Sequence, residues 1–456
     1  MRTIQFLKTW HRRPLRSRLW QGAFAWAAFI ITFVIGNALI PPEKAVGTHM
    51  LGIDFVAFYT GGTFVHIGRL SDLYDLDAVR TFQHQTAANG KIELGDSFGP
   101  FWNPPFYAWV FVPLSALPFR AALAVWECIS LACVAGALVL LIRMLPRRGG
   151  LLGQRQLNWR YWALVPALLL VSMPFIQSVS HGQNTLTSLL LLTLTVTAWR
   201  SGRGLLAGLV GGLLFYKPQL AAVIAVLMVL NLGWRCLLGL GITSSALLLI
   251  NLLTLPGSLG DYLHRLPLNV HWMQVEHAYL WERHVTFKGF WRLLIQGRAP
   301  GEAAWLVVAL TDLSCLVLGG CLLRAVWRFR KSTGLRRDRL ICATIAAMPL
   351  LMPFYFDYDL LLLAVPAVLV VGEVLLHDSM DELTRGDRWM IGAFVALFAW
   401  MMINPGIAGR THVNLSVILA TCVASLLVRR ALRRDGVMHA RNMIVDFSSP
   451  PSTLAA

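Results

Sequence analysis

Acidic and amide side chains stand in short motifs that border long apolar stretches of the sequence. Polar groups at membrane depth are costly, and for that reason they mark functional sites. Asp54, in GIDFVAFYTGG, either caps a helix or is a general base that takes a proton from a hydroxyl group. Gln183 and Asn184, in SHGQNTL, offer several donors and acceptors, with helix capping as the alternative for Asn184. In PFYFDYDLLLL, one of Asp357 and Asp359 is expected to cap a helix, and the other needs a cation or a hydroxyl group.

Cationic side chains form a second set of candidates, and they point to an anionic ligand. Lys217, in FYKPQL, either extends towards the membrane surface or meets a phosphate or an anionic headgroup. The segment 257–301 is rich in His and cationic residues, which would offset the charge of a phosphate leaving group. The spacing of His271 and His277 is not typical of zinc sites, so no metal is expected. The candidates for phosphate binding are Lys217, His271, His277, His284 and Lys288.

Aromatic side chains accompany these motifs. The segment FWNPPFYAWVFVPLSALPF is expected to turn at Asn103, because proline disfavours helix at the preceding residue. Its aromatic residues either contact a ligand or form a belt at the membrane interface, and the belt is favoured for most of them. The candidate ligand contacts outside the acidic and amide motifs are Tyr59, Asn103 and Tyr107.

Composition decides the class of protein. Apolar residues make up 56% of the chain and charged residues only 14%, whereas soluble domains average about 25% charged. The net charge of +17 would suggest nucleic acid in a soluble protein. Here the basic residues stand in short runs between apolar stretches, which is typical of cytoplasmic loops, so no nucleic acid partner is expected. The seven cysteines form no CxxC pair.

Membrane-spanning helices are the elements that must position the candidates. A bilayer core about 30 Å thick needs roughly 20 apolar residues per helix. With a cytoplasmic N-terminus, the cytoplasmic segments hold 28 of the 40 Lys and Arg residues, and the candidates lie on the opposite face. The sequence therefore predicts an all-α polytopic integral membrane protein. Its twelve candidate spans are 18–40, 121–143, 161–178, 184–199, 204–216, 219–234, 236–256, 302–324, 339–354, 358–376, 388–405 and 412–429.

These spans define one membrane domain. We expect a cytoplasmic N-terminus over 1–17, a transmembrane domain over 18–430 and a disordered cytoplasmic tail over 431–456. Two long periplasmic loops, 41–120 and 257–301, are rich in aromatic residues. Both loops are therefore predicted to form short interfacial helices on the bilayer surface.

Six motifs, in this order, resemble those of glycosyltransferase family 87, also called DUF2029, within the GT-C superfamily. The resemblance covers about residues 50–375. The motifs are DF-x(3)-Y from Asp54, G-x-L-x-x-LYD from Gly68, NPPFY from Asn103, GQN from Gly182, YKPQ from Tyr216 and DYDLLLL from Asp357.

The resemblance implies a GT-C bundle of about 12 transmembrane helices in a bacterial inner membrane. It implies transfer of a hexose, mannose by analogy, from a polyprenyl-phosphate donor to a lipid or envelope glycan on the periplasmic face, without a cofactor. Asp54 matches the family's proposed base. A second acid that often lies beside the first in other GT-C families is absent from Ile53-Asp54-Phe55, which argues against a metal-dependent mechanism.

Two other functions compete with this interpretation. A transporter or flippase of lipid-linked saccharides would show internal repeats and broken mid-membrane helices, and the two halves show no clear repeat. An envelope-assembly partner without catalysis would not depend on Asp54 or Lys217.

Overall fold

The computed structural model describes residues 21–31, 51–90, 94, 98–145, 159–374 and 383–433. The predicted N-terminal segment 1–17, most of the span 18–40, the start of the loop 41–120 and the tail from 434 lie outside the described residues. Every regular element described is a helix, and the one described β-bridge joins His284 to Phe356. The predicted all-α class is therefore confirmed.

The helices are numbered along the described part of the chain. The first ten are α1 (Gln21–Ile31), α2 (Phe55–His66), α3 (Leu76–Gly90), α4 (Phe119–Met144), α5 (Trp159–Leu170), α6 (Met173–His181), α7 (Thr185–Arg200), α8 (Gly204–Gly212), α9 (Pro218–Leu232) and α10 (Trp234–Thr254). The next eight are α11 (Ser258–His271), α12 (Phe287–Gln296), α13 (Trp305–Arg328), α14 (Gly334–Leu351), α15 (Ala364–Val374), α16 (Arg385–Trp400), α17 (Asn404–Thr411) and α18 (Leu415–Leu432). Short 3-10 segments lie at Pro105–Phe111, Leu213–Tyr216, Trp281–Arg283 and Asp357–Leu363.

Four helices, α4, α10, α13 and α18, are long and apolar enough to cross a bilayer. Two bent pairs, α5 with α6 (57°) and α16 with α17 (82°), raise the number to six if each pair is one span. The described residues thus support a multi-pass membrane protein, while the count of about twelve stays a prediction. Several other predicted spans correspond to shorter helices, such as α8 and α9. Another corresponds to α14, which carries four charged residues at 336–339 but is buried at every position from 340 to 350.

The first long loop forms a core of its own. Helix α2 is buried at ten of its twelve positions, so it differs from the expected helix on the membrane surface. Phe55 and Phe58 of α2 pack around Phe111 and Trp126. Tyr107 stacks on Tyr216 with the ring centroids 4.3 Å apart. The aromatic residues for which an interfacial belt was favoured are therefore, in large part, core residues.

Glycines bring α8 against α10. A Cβ atom at Gly208 would lie 2.1 Å from the carbonyl oxygen of Cys236, and one at Gly239 would lie 2.3 Å from that of Leu205. Only glycine fits at both positions, and small residues allow this close approach between membrane helices. The predicted span 204–216 thus contains a short Gly-rich helix that packs backbone to backbone on the full-length helix α10.

Helix α7 separates two polar ends of the bundle. At its start, the Thr185 hydroxyl donates to Asp359 (2.6 Å). At its end, Arg200 donates two hydrogen bonds to Asp338 (2.7 and 2.8 Å). A rise of 1.5 Å per residue puts these ends roughly 22 Å apart. The acidic and amide motifs therefore lie at one end, and the basic segments meet at the other.

Ion pairs join four helices at the basic end. Glu373 of α15 accepts a hydrogen bond from Arg339 of α14 (2.7 Å) and forms an ion pair with Arg430 of α18 (2.7 Å). Arg430 also pairs with Asp387 of α16. All four side chains are at least 84% buried. We name this set, Arg339, Glu373, Asp387 and Arg430, the basic-end network.

Candidate active site

Asp54 stands immediately before α2, where the chain meets the end of α6. Its backbone N–H donates to the carbonyl of His181 (3.0 Å), and the Gln183 amide donates to its Oδ2 (2.8 Å). Although Asp54 occupies the N-cap position of α2, its side chain makes no capping hydrogen bond. Within the described chain, its Oδ1 has no hydrogen-bond partner, and the side chain is 35% exposed. The geometry therefore argues against the capping interpretation.

Gly182 makes this contact possible. Its φ is +69°, and a Cβ atom there would lie 2.6 Å from the Cβ of Phe55. Glycine adopts positive φ without a steric penalty, so the chain turns here and presents His181 and Gln183 to Asp54. The imidazole Nδ1 of His181 lies 3.7 Å from Asp54 Oδ2. The carbonyl of Gly182 itself accepts a hydrogen bond from the Trp126 indole (2.9 Å), which fixes the turn to α4.

Both acids of the DYD motif pair with cations. Asp357 accepts two hydrogen bonds from Arg283 (2.9 and 3.2 Å). Asp359 Oδ1 lies 2.9 Å from Lys217 Nζ. Each carboxylate is only 7% exposed. Both acids therefore have a cation as partner, and Asp357 Oδ1 also accepts a hydrogen bond from the backbone N–H of Tyr358 (3.0 Å).

Tyr358 lies between the two pairs and joins them to Asp54. The Gln183 amide that donates to Asp54 also lies 3.1 Å from the Tyr358 hydroxyl. The cations of Arg283 and Lys217 both lie 5.8 Å from the centre of its ring. The site thus combines one accessible carboxylate with two buried ion pairs. Acid–base chemistry next to an anion-binding group is what such an arrangement can perform.

The predicted phosphate contacts of the second loop do not all share this place. His271 is half exposed and lies 3.6 Å from Glu302. His277 is exposed, and its Nδ1 lies 3.0 Å from the carbonyl oxygen of Trp272. Lys288 donates to the side chain of Gln274 (3.0 Å). Within the described residues, none of these three side chains contacts Asp54, Asp357 or Asp359.

His284 is close to the site in sequence but is not a cation there. Its Nε2 lies 2.8 Å from the Tyr279 hydroxyl, and the residue is fully buried. Burial lowers the pKa of His284 to about 3. The imidazole is therefore neutral near pH 7, which argues against a role as a positive charge for phosphate.

The predicted ligand contacts of the first loop are engaged in packing. The Tyr59 hydroxyl donates to the carbonyl of Leu117 (2.8 Å). The Asn103 amide donates to the carbonyl of Tyr216 (2.8 Å). Asn184 is fully buried behind the site and makes no side-chain cap on α7. Tyr107 is likewise buried, and it stacks on Tyr216 as described above.

Comparison with known families agrees with this architecture. The sequence model of glycosyltransferase family 87 matches residues 101–353, which is more than half of the chain. The chain belongs to glycosyltransferase family 87. It is a membrane glycosyltransferase with a sugar donor and an acceptor as substrates. No curated protein and no solved structure matches it. No group of three or more His, Cys, Asp or Glu residues within the described parts of this family-87 protein could hold a metal ion.

The family match is shorter than the resemblance of residues 50–375. It includes Gln183, Lys217 and Arg283, whereas Asp54 and the DYD motif lie outside it. Contacts in the structure join the two sets. Sequence reasoning noted Arg283 only as one of many cations and missed Tyr358. The position of Tyr358 between the two acids of the DYDLLLL motif was the signal that could have identified it as a site residue.

Proposed function

We propose that this family-87 enzyme transfers a hexose, mannose by resemblance, from a polyprenyl-phosphate donor to a lipid or envelope glycan, with Asp54 as the general base. One observation supports the choice of base. Asp357 and Asp359 are buried and paired with cations, whereas Asp54 is partly exposed and keeps one oxygen without a partner among the described residues. A general base must be accessible to the proton that it takes.

The proposed reaction is a single displacement at the anomeric carbon. Asp54 takes the proton of the acceptor hydroxyl, and the hydroxyl oxygen attacks the anomeric carbon. The bond from this carbon to the phosphate oxygen breaks, and polyprenyl phosphate leaves with the bonding electrons. One displacement inverts the configuration. Gln183, which donates to Asp54, holds the carboxylate in one orientation.

Arg283 is our candidate for the leaving phosphate, together with Lys217. A guanidinium presents a rigid fork that matches the oxygens of carboxylates and phosphates. Arg283 already holds the carboxylate of Asp357 in this way, so a donor phosphate would share or replace that contact. Of the cations predicted from the sequence, only Lys217 contacts the same cluster, through Asp359.

An apolar groove in the bundle is compatible with a lipid-borne donor. It measures about 620 Å³ and lies between α12, α13 and α18. Phe287, four residues after Arg283, lines it together with Phe290 and Trp291 of α12. The remaining lining is mostly apolar, and its polar side chains are Ser314, Thr421, Ser425 and Arg429. We propose that the isoprenoid tail of the donor occupies this groove.

The charge distribution supports a periplasmic site. The basic segments meet at the end of the bundle opposite to Asp54, and cytoplasmic loops collect Lys and Arg. The proposal includes cytoplasmic termini and a bacterial inner membrane, and it keeps about twelve spans with interfacial helices as a prediction.

The test is Asp54→Asn in purified enzyme with polyprenyl-phosphate mannose and envelope glycolipids as acceptors. The Asn oxygen can still accept from Gln183, so the fold should persist while the base is lost. We expect a loss of about 10²- to 10⁴-fold in turnover. Asp75→Asn is the matched control, because Asp75 is equally exposed (39%) but pairs with Arg265. Wild-type turnover by Asp54→Asn would exclude the base assignment.

A further inference from the structure

A side chain from the far end of the chain holds the loop that carries Arg283. Asn414 Nδ2 donates to the carbonyl oxygens of Glu282 and His284, each at 3.0 Å. These two carbonyls stand on either side of Arg283 in the sequence. Asn414 is fully buried and lies about 60 residues beyond the family match at 353. One amide group thus brackets the residue that reaches the acidic cluster.

Neighbouring contacts fix the same loop from other directions. Asn404 donates to the Glu282 carbonyl (3.3 Å). The backbone N–H of Val285 donates to the carbonyl of Tyr355 (2.8 Å). The Glu282 carboxylate also pairs with Arg298. The backbone on both sides of Arg283 is therefore fixed, and the guanidinium position depends on where that backbone stands.

The two hydrogen bonds of Asn414 differ from general packing in what they constrain. A buried carbonyl that loses its donor is costly. Without Asn414 the His284 carbonyl loses its side-chain donor, and the Glu282 carbonyl keeps only the longer bond from Asn404 (3.3 Å), so we expect the backbone at 284 to shift towards a new partner. Arg283 bonds Asp357 through two nitrogens, and the groups of a functional site must be held within about 0.5 Å of their productive geometry. A shift of the loop would therefore move the cation away from the site.

We propose that Asn414 is a positioning residue for Arg283, which holds the guanidinium where a donor phosphate binds. This inference rests on the proposed function, because it assumes that Arg283 meets that phosphate. It adds to the active site a residue that lies outside the segment matched by the family. Asn414 touches no substrate and acts only through the 282–284 backbone.

The test measures the binding of a polyprenyl monophosphate, the proposed leaving group, to the full-length enzyme in detergent. Asn414→Leu keeps the number and branching of the side-chain heavy atoms and removes both N–H donors. We expect about 10-fold weaker binding, within the range of couplings between residues of one hydrogen-bonded network. Asn251→Leu is the matched control, because Asn251 is 1% exposed and its amide has no partner in the described structure. That control should bind as the wild type does.

A double-variant cycle separates positioning from general stabilisation. If Asn414 acts through Arg283, then Asn414→Leu added to Arg283→Ala should change binding by less than about 2-fold. An equal loss in both backgrounds would overturn the inference, as would wild-type binding by Asn414→Leu. If Arg283→Ala alone binds normally, the phosphate role in the proposed function fails, and the inference fails with it. Should Asn414→Leu not purify as a folded protein, Asn414→Ser keeps one donor, and an intermediate loss confined to the Arg283 background is then expected.

Discussion

The Lys217–Asp359 pair allows a quantitative prediction. Lys217 Nζ lies 2.9 Å from Asp359 Oδ1, and the side chains are 8% and 7% exposed. Lys217→Met removes the ammonium and leaves a buried carboxylate whose other described partner is the Thr185 hydroxyl. Breaking a buried pair from one side costs about 3–5 kcal/mol, because the remaining charge is uncompensated. We expect Lys217→Met to lower the free energy of unfolding by about that amount.

The double variant distinguishes this cause from lost packing. Asp359→Asn removes the charge that Lys217 compensates while keeping an acceptor for Thr185. Replacing both partners of a buried pair is often neutral. We therefore expect Lys217→Met with Asp359→Asn to regain most of the stability that Lys217→Met alone loses. Donor binding should stay weak in both variants, because the cation is absent from both.

Thermal unfolding in detergent, with the wild type and both single variants measured in parallel, checks this prediction. Lys217→Met should unfold at a lower temperature than Asp359→Asn with Lys217→Met. If Lys217→Met is as stable as the wild type, or if the double variant is as unstable as Lys217→Met, the pairing argument is refuted. Lys217 would then be free to serve the phosphate alone.

Two further predictions concern the turn and the second loop. Gly182→Ala should reduce transferase turnover at least about 10-fold, because the added Cβ would meet Phe55 at 2.6 Å and displace Asp54. Gly68→Ala is the control, because Gly68 shares the positive φ but its added Cβ would meet no atom. Normal turnover in both variants would contradict the role of the turn. Burial lowers the pKa of His284 in the folded protein to about 3, so the unfolded chain binds the proton more readily than the folded protein does. The free energy of unfolding therefore falls as the pH drops below about 6.5, by about 2 kcal/mol at pH 5. Unfolding temperatures at pH 7.5 and pH 5 should show a smaller fall for His284→Gln than for the wild type, and an equal fall would exclude His284 as the cause.

The sequence predicted the helical class and the two ends of the bundle, because both follow from local patterns. Apolar stretches define helices wherever they lie, and basic runs such as those around Arg200 and Arg339 mark one end regardless of the packing. The span count was less predictable. Hydropathy does not distinguish a helix that faces lipid from one like α14, which is buried by other helices at every position from 340 to 350.

The candidate site was predicted only in part, because local motifs show single residues but not their distant partners. Asp54 and Gln183 belong to motifs, and their contact follows from one glycine turn. The partner of Asp357 did not follow from any pattern, because Arg283 is one of several cations in its loop, and 74 residues separate the two. The His residues nearby have the right type for phosphate binding. Burial argues against phosphate binding by His284. His277 is exposed but lies away from the site, which argues against the same role for it.

The basic-end network has a consequence for handling the protein. Salt screens exposed charges over about 10 Å at 0.1 M but acts much less on buried pairs. Since Glu373 and Arg430 are at least 86% buried, concentrated salt should strip peripheral proteins from the membrane without loosening α14, α15, α16 and α18 at this end. Salt washing before detergent extraction is therefore a suitable first step of purification.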